Sequence, residues 1–287
     1  MSKDESWLFE ISSKRKFLSL NFKEIWRYRD LLFLFVKRDV VTVYKQTVLG
    51  PLWFFIQPLF TSVVFTLIFN RIASIDTGFI PSFLFNLAGI TIWNYFKICL
   101  TGTASTFRAN ASMFGKVYFP RFIVPLSKVI SNLVKFGIQM IILTGFYVYY
   151  VLDGAQIGLG WYTFLFPLYL ALMAIYGLGI GMIISTFTTK YRDLSILLTF
   201  SMQLVMYLSA VPYPMSEVTT KVPSYAWVVE YNPIAHMVEG FRYALFGGDT
   251  LSFDWSVLGV ITLAGILIFL LGLMLFNRTE KTFIDTV

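Results

Sequence analysis

Lys128, Asn132, Lys135 and Gln139 follow one another at spacings of 4, 3 and 4 residues, which sets two amines and two amides on one face of a helix. Amines attract phosphate and other anions, and amides offer donors and acceptors together. A second row, Ser195, Thr199, Gln203 and Tyr207, repeats every four residues with Met202 and Met206 beside it. Gln57 and Thr61 form a shorter row of the same kind, with Thr66 and Asn70 further along. Hydroxyls, amides and aromatic rings suit sugars, which present many hydroxyls and apolar C–H faces. Packing of one polar helix face on another accounts for the same rows.

Catalytic groups are poorly supplied. His236 and Glu239 make a His-x-x-Glu pair, but the chain holds one histidine and one cysteine, Cys99. Four metal ligands of those types cannot be assembled from them, and no metal site is expected. A lone cysteine also excludes an internal disulfide. No Gly-x-x-x-x-Gly-Lys-Ser/Thr phosphate loop and no Gly-x-Ser-x-Gly nucleophile elbow occurs. Nucleotide, metal and cofactor chemistry is therefore expected to lie outside this chain, which is expected not to be an enzyme.

The elements that carry these rows are apolar. Of 287 residues 57% are hydrophobic and only 14% charged, and the mean hydropathy is +0.70. Soluble domains carry about 45–50% apolar and about 25% charged residues, so a water-facing fold is excluded, as is disorder. A bilayer core needs about 20 apolar residues as helix. Six stretches qualify, at about 51–71, 83–106, 126–151, 162–187, 195–212 and 255–277, the fifth being the shortest. The expected fold is an all-α integral membrane protein with six spans. Gly177-x-x-x-Gly181 in the fourth reads as a close helix contact.

The net charge of +7 does not signal nucleic acid, because the basic residues flank the apolar runs. With the N-terminus in the cytoplasm, 17 Lys/Arg fall in inner pieces: ten in 1–50, three in 107–125, two in 188–194 and two in 278–287. Lys221 and Arg242 fall outside and Arg71 at a border. Both termini are therefore expected inside. Residues 1–50 are expected to form a cytoplasmic N-terminus and 51–287 the six-span membrane domain. The first 30 residues hold no uninterrupted apolar core of a cleavable signal.

Three connections have character. In 22–40, Lys23, Glu24, Arg27, Asp30, Lys37 and Arg38 share about 140° of helical arc while the rest is mostly apolar, which predicts an amphipathic helix lying in the interface. It would serve as an anchor, or as a docking surface and entrance ramp for an anionic lipid. The outer segment 213–254 predicts two short helices, 224–231 and 234–246, broken at Asn232-Pro233 and re-entrant, because each is too short to span. The inner turn Lys190-Tyr-Arg-Asp193 reads as a positive-inside clamp.

Several blocks resemble one family. Val36-Lys-Arg-Asp39, Tyr44-Lys-Gln46, Leu49-Gly-Pro-Leu-Trp53, Gln57-Pro58, Asn232-Pro233, Arg242 and the tail Arg278-Thr-Glu-Lys-Thr-Phe283 are similar to type-2 ABC exporter permeases of the polysaccharide branch, which export O-antigen, capsule or teichoic acid. The likeness covers nearly the whole chain. It implies a homodimeric permease in a bacterial inner membrane, bound to two copies of a cytoplasmic ABC ATPase that carries the ATP and magnesium. Its cargo would be a polysaccharide on an undecaprenyl diphosphate lipid.

The resemblance also assigns roles. The headgroup would enter near Tyr44, Leu49 and Gly50, with Arg27, Lys37 and Arg38 drawing the diphosphate. The segment from about Ala109 to Arg121 would be the coupling helix seated in the ATPase, through Met113, Phe114, Lys116, Tyr118 and Arg121. Gln57, Thr61, Thr199, Gln203, Tyr207 and Lys135 are the expected substrate path. Two other readings share parts of this pattern: an ABC permease for a small amphipathic molecule or lipid, and a membrane-embedded glycan-modifying enzyme. The latter would need paired carboxylates or a metal cluster on one face, and the sequence shows neither.

Overall fold

Apolar runs of this length satisfy their backbone groups in lipid only by coiling, because no water is present to bond an exposed N–H or C=O. The computed structural model describes residues 22–45, 50–191, 193–247, 251 and 253–284, and among them every regular element is helical. Helices α1 (Phe22–Arg27) and α2 (Arg29–Lys45) come first, then α3 (Trp53–Phe65), which runs on as a π-helix through Thr66–Ile72. α4 (Ser82–Ala104) and the long α7 (Ile123–Leu152) are separated by two single turns, α5 (Thr106–Ala109) and α6 (Ala111–Phe114). α8 (Phe166–Thr188) and α9 (Leu194–Leu208) follow, then the short α10 (Met215–Lys221) and α11 (Ala226–Glu230), then α12 (Pro233–Phe246) and α13 (Trp255–Ile284).

Five of these stretches are long and apolar enough to cross a membrane: Trp53–Ile72, Ser82–Ala104, Ile123–Leu152, Trp161–Thr188 and Trp255–Glu280. The fifth stretch expected from sequence, 195–212, is the exception. It forms the 15-residue α9, about 22 Å long, which is shorter than the roughly 30 Å hydrocarbon core. The helix stops because Ala210 adopts a left-handed conformation with φ 51, after which Pro212 and Pro214 bar a helical restart until Met215.

α4 is the centre of the bundle. It is enclosed on nearly all sides, against α8, α7, α3 and α12, whereas α3 is the most open of the five. α8 reaches α4 through its glycines: a Cβ on Gly181 would stand 2.9 Å from the Leu100 carbonyl oxygen, and one on Gly177 would stand 3.0 Å from the Cys99 Cβ. The small-residue spacing thus brings two backbones together. Thr188 Oγ1 donates to the Ala104 carbonyl at 2.9 Å, and Tyr176 OH ties α8 to the Ile261 carbonyl of α13 at 2.9 Å. Gly181→Leu is expected to cost about 1–3 kcal/mol by overpacking and to lower the yield of monodisperse protein in detergent several-fold. Gly137→Leu, where a Cβ meets nothing within 4 Å, is expected to leave the yield unchanged.

The helical break in 213–254 falls where the sequence puts it. Asn232 caps α12, its Oδ1 accepting from the Ile234 N–H at 2.9 Å, and Pro233 takes the first helical position. Asp254 caps α13 in the same way: the Ser256 N–H and hydroxyl each donate to its Oδ1 at 2.8 Å, which holds this carboxyl below its ordinary value.

Candidate functional site

The side chains expected to act collect at two ends of the bundle and on one flank. One end carries α2, α5, α6, the first turns of α7 and the last turns of α13, and it is the basic end. α2 lies along α7 with Phe35 buried and Phe33 and Leu34 on the outside, and Trp26 of α1 is exposed as well. The expected amphipathic helix is present but in two pieces that break at Tyr28. Arg27, Lys37 and Arg38 are exposed, Gly50 opens the turn into α3 with φ 49, Tyr44 sits in α2, and Leu49 lies outside the described residues.

Between α2, α4, α7 and the start of α3 is a cavity of about 520 Å³, within the roughly 300–1,000 Å³ common for small-ligand sites. Lys128, Asn132 and Lys135 line it together, as their spacing predicts, and Arg38 and Asp39 close it from α2. Gln139, the fourth of that row, is buried but does not line it. Lys135 stands 5.4 Å from the Phe54 ring centre. Asp39 is the residue that sequence reasoning missed. It falls outside the polar arc of 22–40, and an acid on the apolar side of an interface helix was the available signal.

The segment expected as one coupling helix is two turns and a loop. Asn110 separates them: its side chain donates to the Thr106 carbonyl at 2.9 Å, displacing the regular ladder. The five residues assigned to it differ in burial. Lys116 and Tyr118 project outward with Val117, Tyr118 being 69% exposed, and Met113 is half-buried. Phe114 and Arg121 turn inward and anchor the loop. Arg121 lies over the Phe114 ring at 5.0 Å and donates to the Glu280 carbonyl of α13 at 2.9 Å. Burial holds the Arg121 guanidinium below its ordinary value, and the Glu280 carboxylate opposes that shift. Rings run without a gap from α2 to α13: Phe35 to Phe119 at 5.8 Å, Phe119 to Phe114 at 5.8 Å, Phe114 to Phe107 at 6.0 Å, and Phe107 to Phe276 at 4.6 Å. The loop is thereby packed to both helices through one continuous set of ring contacts.

The flank is formed by α3 and α9. Gln57, Thr199, Gln203 and Tyr207 are exposed and Thr61 partly so, amid exposed Phe60, Leu67, Ile196, Phe200 and Leu204. Thr61 and Thr199 donate to carbonyls one turn back, at 2.8 and 3.0 Å, which leaves the two amides and the phenol to meet a ligand. Tyr207 joins a ring group with Phe65 at 6.3 Å and Phe69 at 6.5 Å, and Tyr213 donates to the Tyr207 carbonyl. Lys135 is not part of this flank; it belongs to the basic-end cavity.

At the opposite end Arg242 is wholly buried. It donates from Nε to the Phe85 carbonyl at 3.2 Å, from Nη1 to Ala210 at 3.1 Å and from Nη2 to Val211 at 2.5 Å, with the Phe85 ring 3.6 Å away. It therefore leaves the set of exposed cations used to judge sidedness. His236 and Glu239 do not act together: His236 Nε2 meets the Glu230 carbonyl at 2.7 Å, while Glu239 accepts from the Met215 N–H at 3.3 Å.

Apolar helices with a polar flank at one side and an anchored outward loop at one end define a multi-pass helical membrane protein. The chain belongs to the ABC-2 type transporter family, whose sequence profile matches residues 30–246. It is 28% identical over 257 residues to an O-antigen export system permease protein RfbA of Klebsiella pneumoniae, covering 89% of this chain and 94% of that protein. Over 222 residues it is 24% identical to the RfbA of Myxococcus xanthus, covering 77% and 82%. It is 22% identical over 263 residues to the capsule polysaccharide export inner-membrane protein CtrC of Neisseria meningitidis serogroup B, covering 88% and 92%. Membership in this family makes the chain a transport permease whose ATPase is a separate subunit.

Proposed function

We propose that this chain is the membrane half of an ABC exporter that carries a polysaccharide on an undecaprenyl diphosphate lipid across a bacterial inner membrane. The single observation that carries this reading is near full-length similarity to permeases named for O-antigen and capsule export. The basic end faces the cytoplasm, as the positive-inside rule requires, with both termini there. α9 and the turn after it complete a sixth crossing, its shortness matched by local packing against α4 and α8. Residues 213–254 then lie on the outer side as a re-entrant segment.

Two copies of the chain face each other across the α3 and α9 flanks, and two ATPase subunits, holding ATP and magnesium, seat on the outward loops. An exposed flank of amides and rings supports a wet path between the copies, since lipid would not be met with Gln57 and Gln203. Conduction needs weak contacts that release the sugar, and scattered amides and rings supply those. ATP-driven closure of the subunits presses the loops, tilts α2 and α13 through the ring series, and opens the flank.

Gln203→Leu and Tyr207→Ala together are expected to lower surface polysaccharide several-fold in cells whose membrane level of the permease is unchanged. Quantitative immunoblotting of surface polymer checks this, and an unchanged level removes the flank from the path. A permease for a small amphipathic molecule would show ATPase stimulation by that class and none by lipid-linked glycan.

A further inference from the structure

The basic-end cavity holds a carboxylate where an anion-binding site would need none. Arg38, Lys128 and Lys135 supply three cations against one acid, Asp39, a net of +2. Asp39 meets Lys128 Nζ at 2.8 Å through Oδ2, and Arg38 at 3.2 and 3.0 Å through Oδ1. The contact to Lys128 is an ion pair without hydrogen-bond alignment, and Oδ2 has no other partner among the described residues. Lys135 has no acid within ion-pair distance among them.

The hydroxyls in the same wall are already engaged, which leaves the Asn132 amide as the neutral donor beside the cations. Thr101 donates to the Lys97 carbonyl at 2.8 Å, Ser131 to Lys128 at 3.0 Å and Ser105 to Gly102 at 3.0 Å. Donors left to a ligand are therefore chiefly ammonium and guanidinium groups. Such groups bind phosphate oxygens through short charge-assisted bonds, and a doubly charged phosphate group outcompetes a single carboxylate for them.

We propose that Asp39 is an internal counter-anion: it latches α2 to α7 through Lys128 and reserves a site of Arg38, Lys128 and Lys135 that a dianionic phosphate or diphosphate group takes over, releasing α2. The inference deepens the reading of the cargo as a diphosphate lipid and rests on it for the source of that group. Phe35, one residue turn from Asp39 on α2, heads the ring series to the outward loop, so freeing α2 reaches the ATPase contact by the same route.

The test is binding of inorganic pyrophosphate to the detergent-solubilised permease–ATPase complex, with a nonhydrolysable ATP analogue filling the nucleotide sites, by isothermal titration. Asp39→Asn is expected to tighten binding about tenfold, and the Lys128→Gln/Lys135→Gln pair to weaken it about tenfold or more. Asp39→Glu, which retains the carboxylate, is expected to stay near wild type. Equal affinities in wild type, Asp39→Asn and the lysine pair would overturn the latch, as would weaker binding in Asp39→Asn. Should Asp39→Asn not fold, unchanged binding in the lysine pair overturns the site by itself.

Competitors then identify the source. Displacement of pyrophosphate by nanodiscs containing undecaprenyl diphosphate, and not by nanodiscs of phosphatidylglycerol alone, supports the lipid diphosphate. Displacement by orthophosphate alone keeps the anion site and latch but assigns them to a soluble anion. Displacement by phosphatidylglycerol keeps them and assigns them to bulk lipid. The transport reading fails separately, when cells lacking the permease export wild-type amounts of surface glycan.

Discussion

Arg242→Leu is expected to leave little folded permease in the membrane. The guanidinium bonds three carbonyls, that of Phe85 in α4 and those of Ala210 and Val211, which lie past the end of α9, beyond any helical ladder. An unsatisfied buried polar group costs about 1–3 kcal/mol, so losing these bonds consumes much of the roughly 5–15 kcal/mol that holds a typical fold. Glu239, also buried, would lose its nearest positive field. Ala210 sits at φ 51, a conformation that costs a non-glycine residue about 1–3 kcal/mol, and Arg242 offsets that by bonding the turned carbonyls. Size-exclusion yield and the thermal midpoint in detergent check the outcome: a drop of tenfold or more in yield, with Arg242→Lys intermediate. Wild-type yield and export in Arg242→Leu would show that the turn after α9 holds without it. Gly89 belongs to the same device, since a Cβ there would collide with the guanidinium and stand 2.9 Å from the Val211 carbonyl.

Val117→Asp with Tyr118→Ala is expected to abolish export while the bundle stays folded. Both side chains project from the loop, Val117 58% and Tyr118 69% exposed, so folding does not depend on burying them. A tyrosine at the centre of a desolvated contact is commonly worth 2 kcal/mol or more, roughly a thirtyfold loss of affinity, and a buried aspartate adds to that. Co-purification of the ATPase and nucleotide hydrolysis by the complex are the readouts. Loss of both, with an unchanged melting profile for the permease, is the expected result; full retention of the ATPase would move the docking surface elsewhere. Phe114→Ala should behave in the opposite way, lowering the melting point because its ring carries the contact between Phe107 and Phe119.

The two substitutions separate two sorts of residue that one motif held together. Met113, Phe114, Lys116, Tyr118 and Arg121 read in sequence as one apolar plug with a basic edge. Two of the five, Phe114 and Arg121, are anchors, because their side chains are buried against α13 and the ring series. The Arg121 bond to the Glu280 carbonyl spans 159 residues of sequence, a separation at which spacing carries no information.

Composition and periodicity alone determined that the chain is a helical membrane protein, where five of its long helices lie, where the helices within 213–254 break and that Lys128, Asn132 and Lys135 share a face. Each of these follows from local rules: apolar length, 3.6-residue repetition and the conformational limits of proline. Tertiary structure decided the rest. It shortened the fifth apolar stretch, because the Arg242 carbonyl bonds support a left-handed Ala210 that ends α9. It took Arg242 out of the charge count by burying it, and it set His236 and Glu239 on separate partners. It joined Asp39 to Lys128 across 89 positions of the chain, a pairing visible only once α2 lies along α7. Charges that are distant in sequence become neighbours through helix packing, and helix packing is set by the shapes of whole faces rather than by any residue's own preference.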